Sequence, residues 1–220
     1  MLGKANAMAS RINIPTGLQQ LRRKLQSGLR LITKVSVFLF IALFGGTASS
    51  WYAVEYGMPF NTETQGPWKR WSGAGRTDSD PYTRNRFSAR EQLLYNANLS
   101  YRFEATSDSK GRLLHSSCDY VIEGRKINAP WWGLAVFDGS GRLIPNAASR
   151  HSFNIDTVAY GADGSFAIRL SREARPYNWL PTARAGRLII VLEAQSERGG
   201  TDVLARGNLN LPSIKRIACR

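Results

Sequence analysis

Apolar and polar side chains alternate with a period of two in six separate runs of the chain beyond residue 98. Such alternation is typical of strands with one buried face, and clusters of Gly, Pro, Asn and Asp bound each run. Strands that recur about every 12 to 20 residues favour an antiparallel β-sandwich or barrel over alternating βαβ units. The predicted strands are residues 99–106, 117–123, 131–138, 151–158, 165–171 and 186–195.

One short helix is predicted ahead of these strands. Residues 82–95 lack Gly and Pro and contain many good helix formers. Asp80 can cap this helix. Pro81 suits its first position, because the backbone N–H that proline lacks has no partner within the helix there. We therefore predict a β-sandwich domain with one helix over residues 80–220.

The segment before this domain, residues 55–79, is rich in Gly, Pro, Ser and Thr. This composition favours turns and extended chain over regular elements. Three large aromatic residues, Phe60, Trp68 and Trp71, interrupt it. We predict an extended lead-in that docks on the domain through these rings.

Three turns in the β-rich part carry the Asp-Gly chemistry of hairpin tips. Residues 108–113 and 138–143 both read Asp-x-x-Gly-Arg-Leu, and residues 162–165 read Ala-Asp-Gly-Ser. A calcium ion needs several oxygen ligands at alternating positions, whereas each of these turns offers one carboxylate. They are interpreted as turns and not as metal sites.

A different pattern, a long uncharged run, occupies residues 35–54. At about 1.5 Å per residue, twenty helical residues span roughly the 30 Å hydrocarbon layer of a membrane. The run ends in small residues, Gly45 to Ser50, which also suit a cleavable secretory signal. The long segment before it and the pair Trp51-Tyr52 favour a retained transmembrane anchor.

The charge distribution predicts the orientation of this anchor. The net charge is +14, and residues 1–34 hold seven basic side chains and no acidic one. Basic residues before an apolar span stay cytoplasmic. We therefore predict a single-pass protein of the bacterial inner membrane, with a cytoplasmic tail over residues 1–34 and a periplasmic C-terminal domain. Within the tail, residues 19–31 fit either an interfacial helix or a helical extension of the anchor.

The remaining positive charges give no sign of nucleic-acid binding. All 16 carboxylates lie from Glu55 onward, mixed among the other 23 basic residues. These basic residues are scattered singly, without the aromatic-basic repeats that bind RNA or single strands. The predicted partners are the inner membrane and an envelope glycan or protein.

The two cysteines, Cys118 and Cys219, both follow the predicted anchor. Because disulfides persist outside the cytoplasm, we predict that they pair, with two unpaired buried thiols as the alternative. His115 and His151 are not spaced from each other or from the cysteines as pairs of zinc ligands are, so a zinc site is not predicted. No cofactor or metal is predicted.

Short motifs follow one another in a characteristic order along the predicted sandwich. They are residues 129–138 (Ala-Pro-Trp-Trp-Gly-Leu-Ala-Val-Phe-Asp), 141–143, Asn146, 150–152, 163–165 and 178–181 (Asn-Trp-Leu-Pro). In order and spacing they resemble the family called domain of unknown function 1214, particularly its short, membrane-anchored form from alphaproteobacteria. The resemblance implies a jelly-roll-like β-sandwich and no established reaction.

The candidate binding residues are aromatic or lie close to the family motifs. Trp131 and Trp132 are adjacent on a strand, so they point to opposite faces, and the outward ring can stack on a sugar or pack structurally. Asn178 suits a turn, and Trp179 is expected to close one end of the sandwich. Arg150 and His151 complete the candidate set.

No catalytic constellation is visible in the sequence. The histidines have no acidic neighbour that marks a triad, and the spacing of Glu104, Asp119 and Glu123 does not establish a glycosidase pair. The first functional hypothesis is an envelope protein that binds a glycan or a protein partner. The alternative is a hydrolase or lyase acting on an envelope carbohydrate, with His151, Arg150 and a carboxylate.

Overall fold

A computed structural model describes residues 16–97, 99–195 and 209–220 of the chain. Its residues divide into two compact units, 1–52 and 53–220. The remaining residues, which include Lys4 and Arg11 of the basic tail, lie outside the described part.

The first unit is helical. Helix α1 (Thr16–Phe40) is followed by a π-helical turn, Ile41–Gly45, and by α2 (Gly46–Tyr56), whose last turn belongs to the second unit. Residues Lys24–Tyr56 form a helix that is long and apolar enough to cross a membrane. A signal sequence near the N-terminus would pass the same test. Within it the Thr33 and Thr47 hydroxyls donate to carbonyls one turn back, at 2.9 and 2.7 Å, so these polar groups are satisfied inside the helix.

The second unit consists mainly of two β-sheets. One has six strands in the order β1-β2-β3-β9-β5-β6, and the other has four in the order β10-β4-β7-β8. The strands are β1 (Thr62–Gln65), β2 (Trp68–Trp71), β3 (Ser100–Ala105), β4 (Cys118–Gly124), β5 (Trp132–Asp138), β6 (Ser152–Asn154), β7 (Phe166–Ser171), β8 (Trp179–Pro181), β9 (Leu188–Gln195) and β10 (Ser213–Cys219). Neighbouring strands are antiparallel except β7 and β8, which run parallel. The mainly β prediction is confirmed, with one mixed sheet.

Both sheets contribute described residues to one hydrophobic core cluster. Strand β4 buries alternate residues such as Tyr120 and Ile122, and β9 buries Ile190 and Leu192, all at 1% exposure or less. The period-two alternation places these side chains on one face of each strand, and removal of that face from water supplies the main favourable energy of the fold. Five of the six predicted strands therefore lie where the alternation placed them.

Strand β6 is shorter than the predicted run, residues 151–158. It ends at Asn154, whose Oδ1 accepts hydrogen bonds from the backbone N–H of Asp156 and Thr157, at 3.0 and 2.9 Å. This side chain makes the backbone turn, and turn formation ends the ladder.

The segment predicted as an extended lead-in contains the hairpin β1–β2, which adds two strands to the larger sheet. Trp68 and Trp71 are buried as expected, and the Trp68 indole N–H donates to the Pro212 carbonyl at 2.7 Å. Phe60 remains 63% exposed. The polar sequence Thr-Glu-Thr-Gln of β1 does not alternate, so its pattern did not indicate a strand.

Helix α3 (Pro81–Ala89) begins as predicted and ends earlier than predicted. The Asp80 carboxylate accepts hydrogen bonds from the N–H groups of Tyr82 and Thr83. At the other end Glu91 takes a left-handed φ of 52°, and N–H groups of Glu91 and Gln92 donate back to Ser88 and Phe87. This closing pattern normally uses glycine, so the sequence carried no stop signal here.

The predicted cysteine pair lies at disulfide distance. Cys118 and Cys219 face each other across β4 and β10, with their sulfur atoms 1.94 Å apart. The link joins positions 101 residues apart and ties the last strand of the described chain to the smaller sheet.

Candidate functional site

An open groove of about 420 Å³ lies where β7 begins, at one end of the smaller sheet. We call it the aromatic groove. The end of β4, the segment before β7 and the turn before β8 form its walls. Its lining includes Glu123, Tyr160, Phe166, Arg169, Tyr177 and Asn178.

Tyr177 is the most exposed aromatic residue of this groove, at 85%. Its backbone is left-handed, with φ at 65°. For a residue other than glycine this conformation costs about 1 to 2 kcal/mol. Since the ring gains little from burial, its packing does not offset that strain. Strained backbone of this kind clusters at binding sites.

Asn178 holds the two walls of the aromatic groove together. Its Oδ1 accepts from the Ala159 N–H at 2.7 Å, and its Nδ2 donates to the carbonyls of Ala159 and Ala167, at 2.9 and 3.1 Å. The side chain is 4% exposed, so these hydrogen bonds satisfy a buried amide. Asn178 therefore ties the backbone next to Tyr160 to the backbone next to Tyr177.

Tyr160 forms the second aromatic surface of the groove and is 41% exposed. Its ring packs edge-on against Phe166, which in turn stacks on Trp132 with ring centroids 5.1 Å apart. Burial raises the pKa of the Tyr160 hydroxyl, while a hydrogen bond with the Trp132 side chain acts in the opposite direction. The groove thus rests on the aromatic core of the sandwich.

Arg169 lies on the outer face of the smaller sheet, at the rim of the groove. Arg169 is the register partner of Val121 on one side and of Trp179 on the other. Val121 is in turn the partner of Lys215. The Arg169 side chain is exposed. Among the described residues no carboxylate forms an ion pair with it, whereas Glu123 of the same groove is paired with Lys215 at 2.6 Å.

The structure brings part of the predicted site together. Asn178 lines the groove, Trp132 supports it from the core, and Trp179 lies beside Arg169 in β8. Trp179 was expected to close one end of the sandwich. It lies instead on the outer face, since its partner Arg169 is exposed, and its indole N–H donates to the Ser171 carbonyl at 3.1 Å.

The other predicted residues lie on different parts of the domain. Trp131 directly precedes β5, and its ring packs beside Gly133, where an added Cβ would approach within 2.8 Å. Arg150 lies over the ring of Phe153, with its Cζ 5.8 Å from the centroid. His151 contacts the side-chain amide of Asn146 at 3.3 Å. None of the three lines the aromatic groove.

The arrangement expected for a hydrolase is not assembled within the described part of the chain. His115 contacts the Ser117 hydroxyl at 2.7 Å through a local turn, and neither histidine has a carboxylate as a hydrogen-bond partner there. Glu104 lies in the larger sheet, whereas Asp119 and Glu123 lie on β4. Four positions on one strand separate the latter two by about 13 Å, beyond the roughly 5 to 9.5 Å of glycosidase pairs.

No group of three or more histidine, cysteine, aspartate or glutamate side chains in the described ranges is arranged to hold a metal ion. A larger depression, of about 640 Å³, lies beside α3. Its arginines are already engaged, because Arg76 pairs with Asp78 at 2.7 Å and Arg84 donates to the Ser79 carbonyl at 3.1 Å. The aromatic groove is therefore the better candidate.

Three residues of the groove were missed by sequence reasoning, namely Tyr160, Tyr177 and Arg169. Tyr160 and Tyr177 lie in connecting segments, and Arg169 is one polar position of an alternating strand. One local signal was available for Tyr177, because it directly precedes the Asn-Trp-Leu-Pro motif.

Comparison with known proteins supports the fold and the family resemblance. Residues 100–196 match the model of a family described as protein of unknown function (DUF1214). No curated protein matches the chain.

Two solved structures are similar to this chain. The VPA0106 protein from Vibrio parahaemolyticus is 21% identical with a TM-score of 0.52, and the match covers 64% of this chain and 36% of that one. A putative uncharacterized protein from Burkholderia cenocepacia is 17% identical with a TM-score of 0.38, covering 55% and 30%. This chain thus matches about a third of the length of these structures, and the first likeness shows the fold alone.

Proposed function

We propose that this chain is a membrane-anchored relative of the DUF1214 family whose β-sandwich binds a glycan of the bacterial envelope in the aromatic groove. The observation that carries the proposal is that Tyr177, 85% exposed on a strained backbone, and Tyr160 line the same open groove. Aromatic rings present flat apolar area that packs on the faces of sugar rings. Arg169 and backbone groups at the rim supply hydrogen bonds that orient a ligand.

Anchoring through residues 35–54, with a periplasmic domain, is the second part of the proposal. The basic residues before the apolar helix and the cysteine pair at disulfide distance both support it. Mass spectrometry of the protein from purified membranes is expected to recover peptides from the N-terminal tail. A mature N-terminus near Ser50 would instead identify a cleaved signal.

Glycan binding is tested with the full chain in detergent on an array of purified bacterial envelope glycans, both neutral and acidic. At least one glycan is expected to be retained by the unaltered protein. Tyr177→Ala should weaken its binding about tenfold, because it removes one aromatic stacking surface. Tyr160→Phe keeps the ring and should bind like the unaltered chain.

The matched control is Tyr95→Ala, which removes another exposed tyrosine, at 69%, outside the groove. It should leave retention unchanged. Retention of no glycan at all, or equal losses in the Tyr177 and Tyr95 variants, would contradict the proposed function.

A further inference from the structure

The positive charge of Arg169 is not paired with a negative charge among the described residues of the groove. The Arg169 side chain is exposed in the groove that Tyr160 and Tyr177 also line, and among the described residues it has no ion-pair partner. The other two cations on the strands of this sheet are paired. Lys215 pairs with Glu123 at 2.6 Å, and Arg216 lies 3.5 Å from Asp108.

Two of the acidic groups near the groove are themselves engaged, whereas Asp156 lies near enough to Tyr160 to raise the pKa of its hydroxyl. Glu123 is held by Lys215. Asp163 accepts hydrogen bonds from the Ser165 N–H and hydroxyl, at 3.1 and 2.6 Å, and Arg125 is near enough to lower its pKa further. Among the described residues, the aromatic groove therefore combines an arginine that has no ion-pair partner with two tyrosines.

We infer that the groove selects acidic glycans, with Arg169 receiving the carboxylate of a hexuronate ring that stacks on Tyr177. The inference rests on the proposed function and names its substrate class. A guanidinium donates two parallel hydrogen bonds to a carboxylate, and such charge-assisted pairs are stronger than neutral ones. The excess positive charge from Glu55 onward, 23 basic against 16 acidic residues, favours the approach of anions.

The test compares tetragalacturonate with its fully methyl-esterified form, which has the same sugar chain and uncharged carboxyl groups. Binding to the full chain in detergent is measured by saturation-transfer NMR and titration at low salt. The acid is expected to bind about tenfold more tightly than the ester. Arg169→Gln should reduce this preference to about one, because it weakens binding of the acid more than binding of the ester. Arg169→Lys should keep a smaller preference, since it retains the charge and loses the planar fork.

Arg184→Gln is the matched control. It changes the net charge by the same amount at another exposed arginine, which does not line the groove, and it should keep the full preference for the acid.

Equal binding of acid and ester, no binding of either, or an unchanged preference in Arg169→Gln overturns the inference. Displacement of the acid by an equal concentration of glycerol 1-phosphate also overturns it, because that result describes a site for anionic lipid headgroups. If one of these outcomes occurs while glycan binding on the array still depends on Tyr177, the proposed function stands and only the inference fails. If glycan binding on the array does not depend on Tyr177, both the proposed function and the inference fail.

Discussion

Asp108 and Asp138 hold the same position in two turns of the same sequence pattern, yet their surroundings differ. Each carboxylate accepts hydrogen bonds from backbone N–H groups two and four residues later, and each turn has glycine at a φ near 80°. The Asp108 side chain is fully buried under β10, and the Arg112 and Arg216 guanidinium groups lie 2.8 and 3.5 Å away. The Asp138 side chain is 22% exposed.

The first prediction follows from this difference. Burial alone would raise the pKa of Asp108, but hydrogen bonds from the Arg112 backbone, the Arg112 side chain and the Lys110 backbone outweigh it, so the pKa is lowered. A lowered carboxyl pKa stabilises the fold above the unfolded pKa, and this contribution is lost as the pH falls through the folded value. Asp108→Asn should reduce the free energy of unfolding at neutral pH by about 2 kcal/mol.

Urea unfolding of the full chain between pH 3 and pH 7 measures this effect. The difference between Asp108→Asn and the unaltered chain should be largest near pH 7 and shrink below about pH 4. Asp138→Asn, in the more exposed turn, should cost less at every pH. Equal losses in the two variants would show that burial under β10 adds nothing.

At the scale of elements, a cluster of cations holds the last turn of α2 within the second unit. Arg86 is 7% exposed, stacks over the Trp71 ring at 4.5 Å and approaches Glu104 at 3.5 Å. Its guanidinium donates to the carbonyls of Val54 and Glu55. These carbonyls have no partner within the helix, and the negative end of the helix dipole favours a cation there.

Lys69 extends this cluster from the hairpin in the lead-in. Its ammonium donates to the Tyr56 carbonyl at 2.8 Å. Burial lowers the pKa of Lys69, and the nearby positive charge of Arg86 lowers it further. Helix end, hairpin and α3 are therefore joined through one charged group of residues.

Arg86→Met tests this junction. It should lower the free energy of unfolding by about 2 kcal/mol, since it uncaps the helix carbonyls and removes one of the two arginines beside the Glu104 carboxylate, which keeps Arg102 at 3.1 Å. Arg90→Gln is the control, because its ion pair with Glu55 is about one third exposed, and it should cost less than about 1 kcal/mol. Urea unfolding in detergent, followed by tryptophan fluorescence, measures both.

A double-mutant cycle with Glu104→Gln extends the measurement and should show coupling between Arg86 and Glu104. Additive losses, or a loss in Arg86→Met no greater than in Arg90→Gln, would refute the role of the cluster.

At the scale of the whole molecule, the link between Cys118 and Cys219 closes a loop that contains most of the sandwich. Its 101-residue separation corresponds to about 4 to 5 kcal/mol in the chain-entropy model. The double variant Cys118→Ser/Cys219→Ser should therefore unfold at a lower temperature than the oxidised protein. Reductant should lower the unfolding temperature of the unaltered chain and leave the double variant unchanged. Full thiol labelling of the denatured, non-reduced protein would contradict the pairing.

The strands that bury a continuous face were predicted from the sequence. The central strands lie within the predicted runs or extend one residue past them; these are β3, β4, β5, β7 and β9. Burial of every second side chain requires an alternation of apolar and polar residues that is visible in the local sequence. Strands β1, β2, β8 and β10 were missed. The first is polar, and β8 has only three residues, so neither carries enough alternation to be recognised.

The sequence by itself determined the apolar N-terminal helix, the β-rich class of the domain, its Asp-Gly turns and the pairing expected of Cys118 and Cys219. Each of these features depends on the residue types within a short stretch of sequence or, for the disulfide, on the presence of two cysteines. Only the tertiary structure decided where the groove lies, because Glu123, Tyr160, Arg169 and Tyr177 come from separate segments. Their meeting depends on strand order and register, which local alternation does not encode.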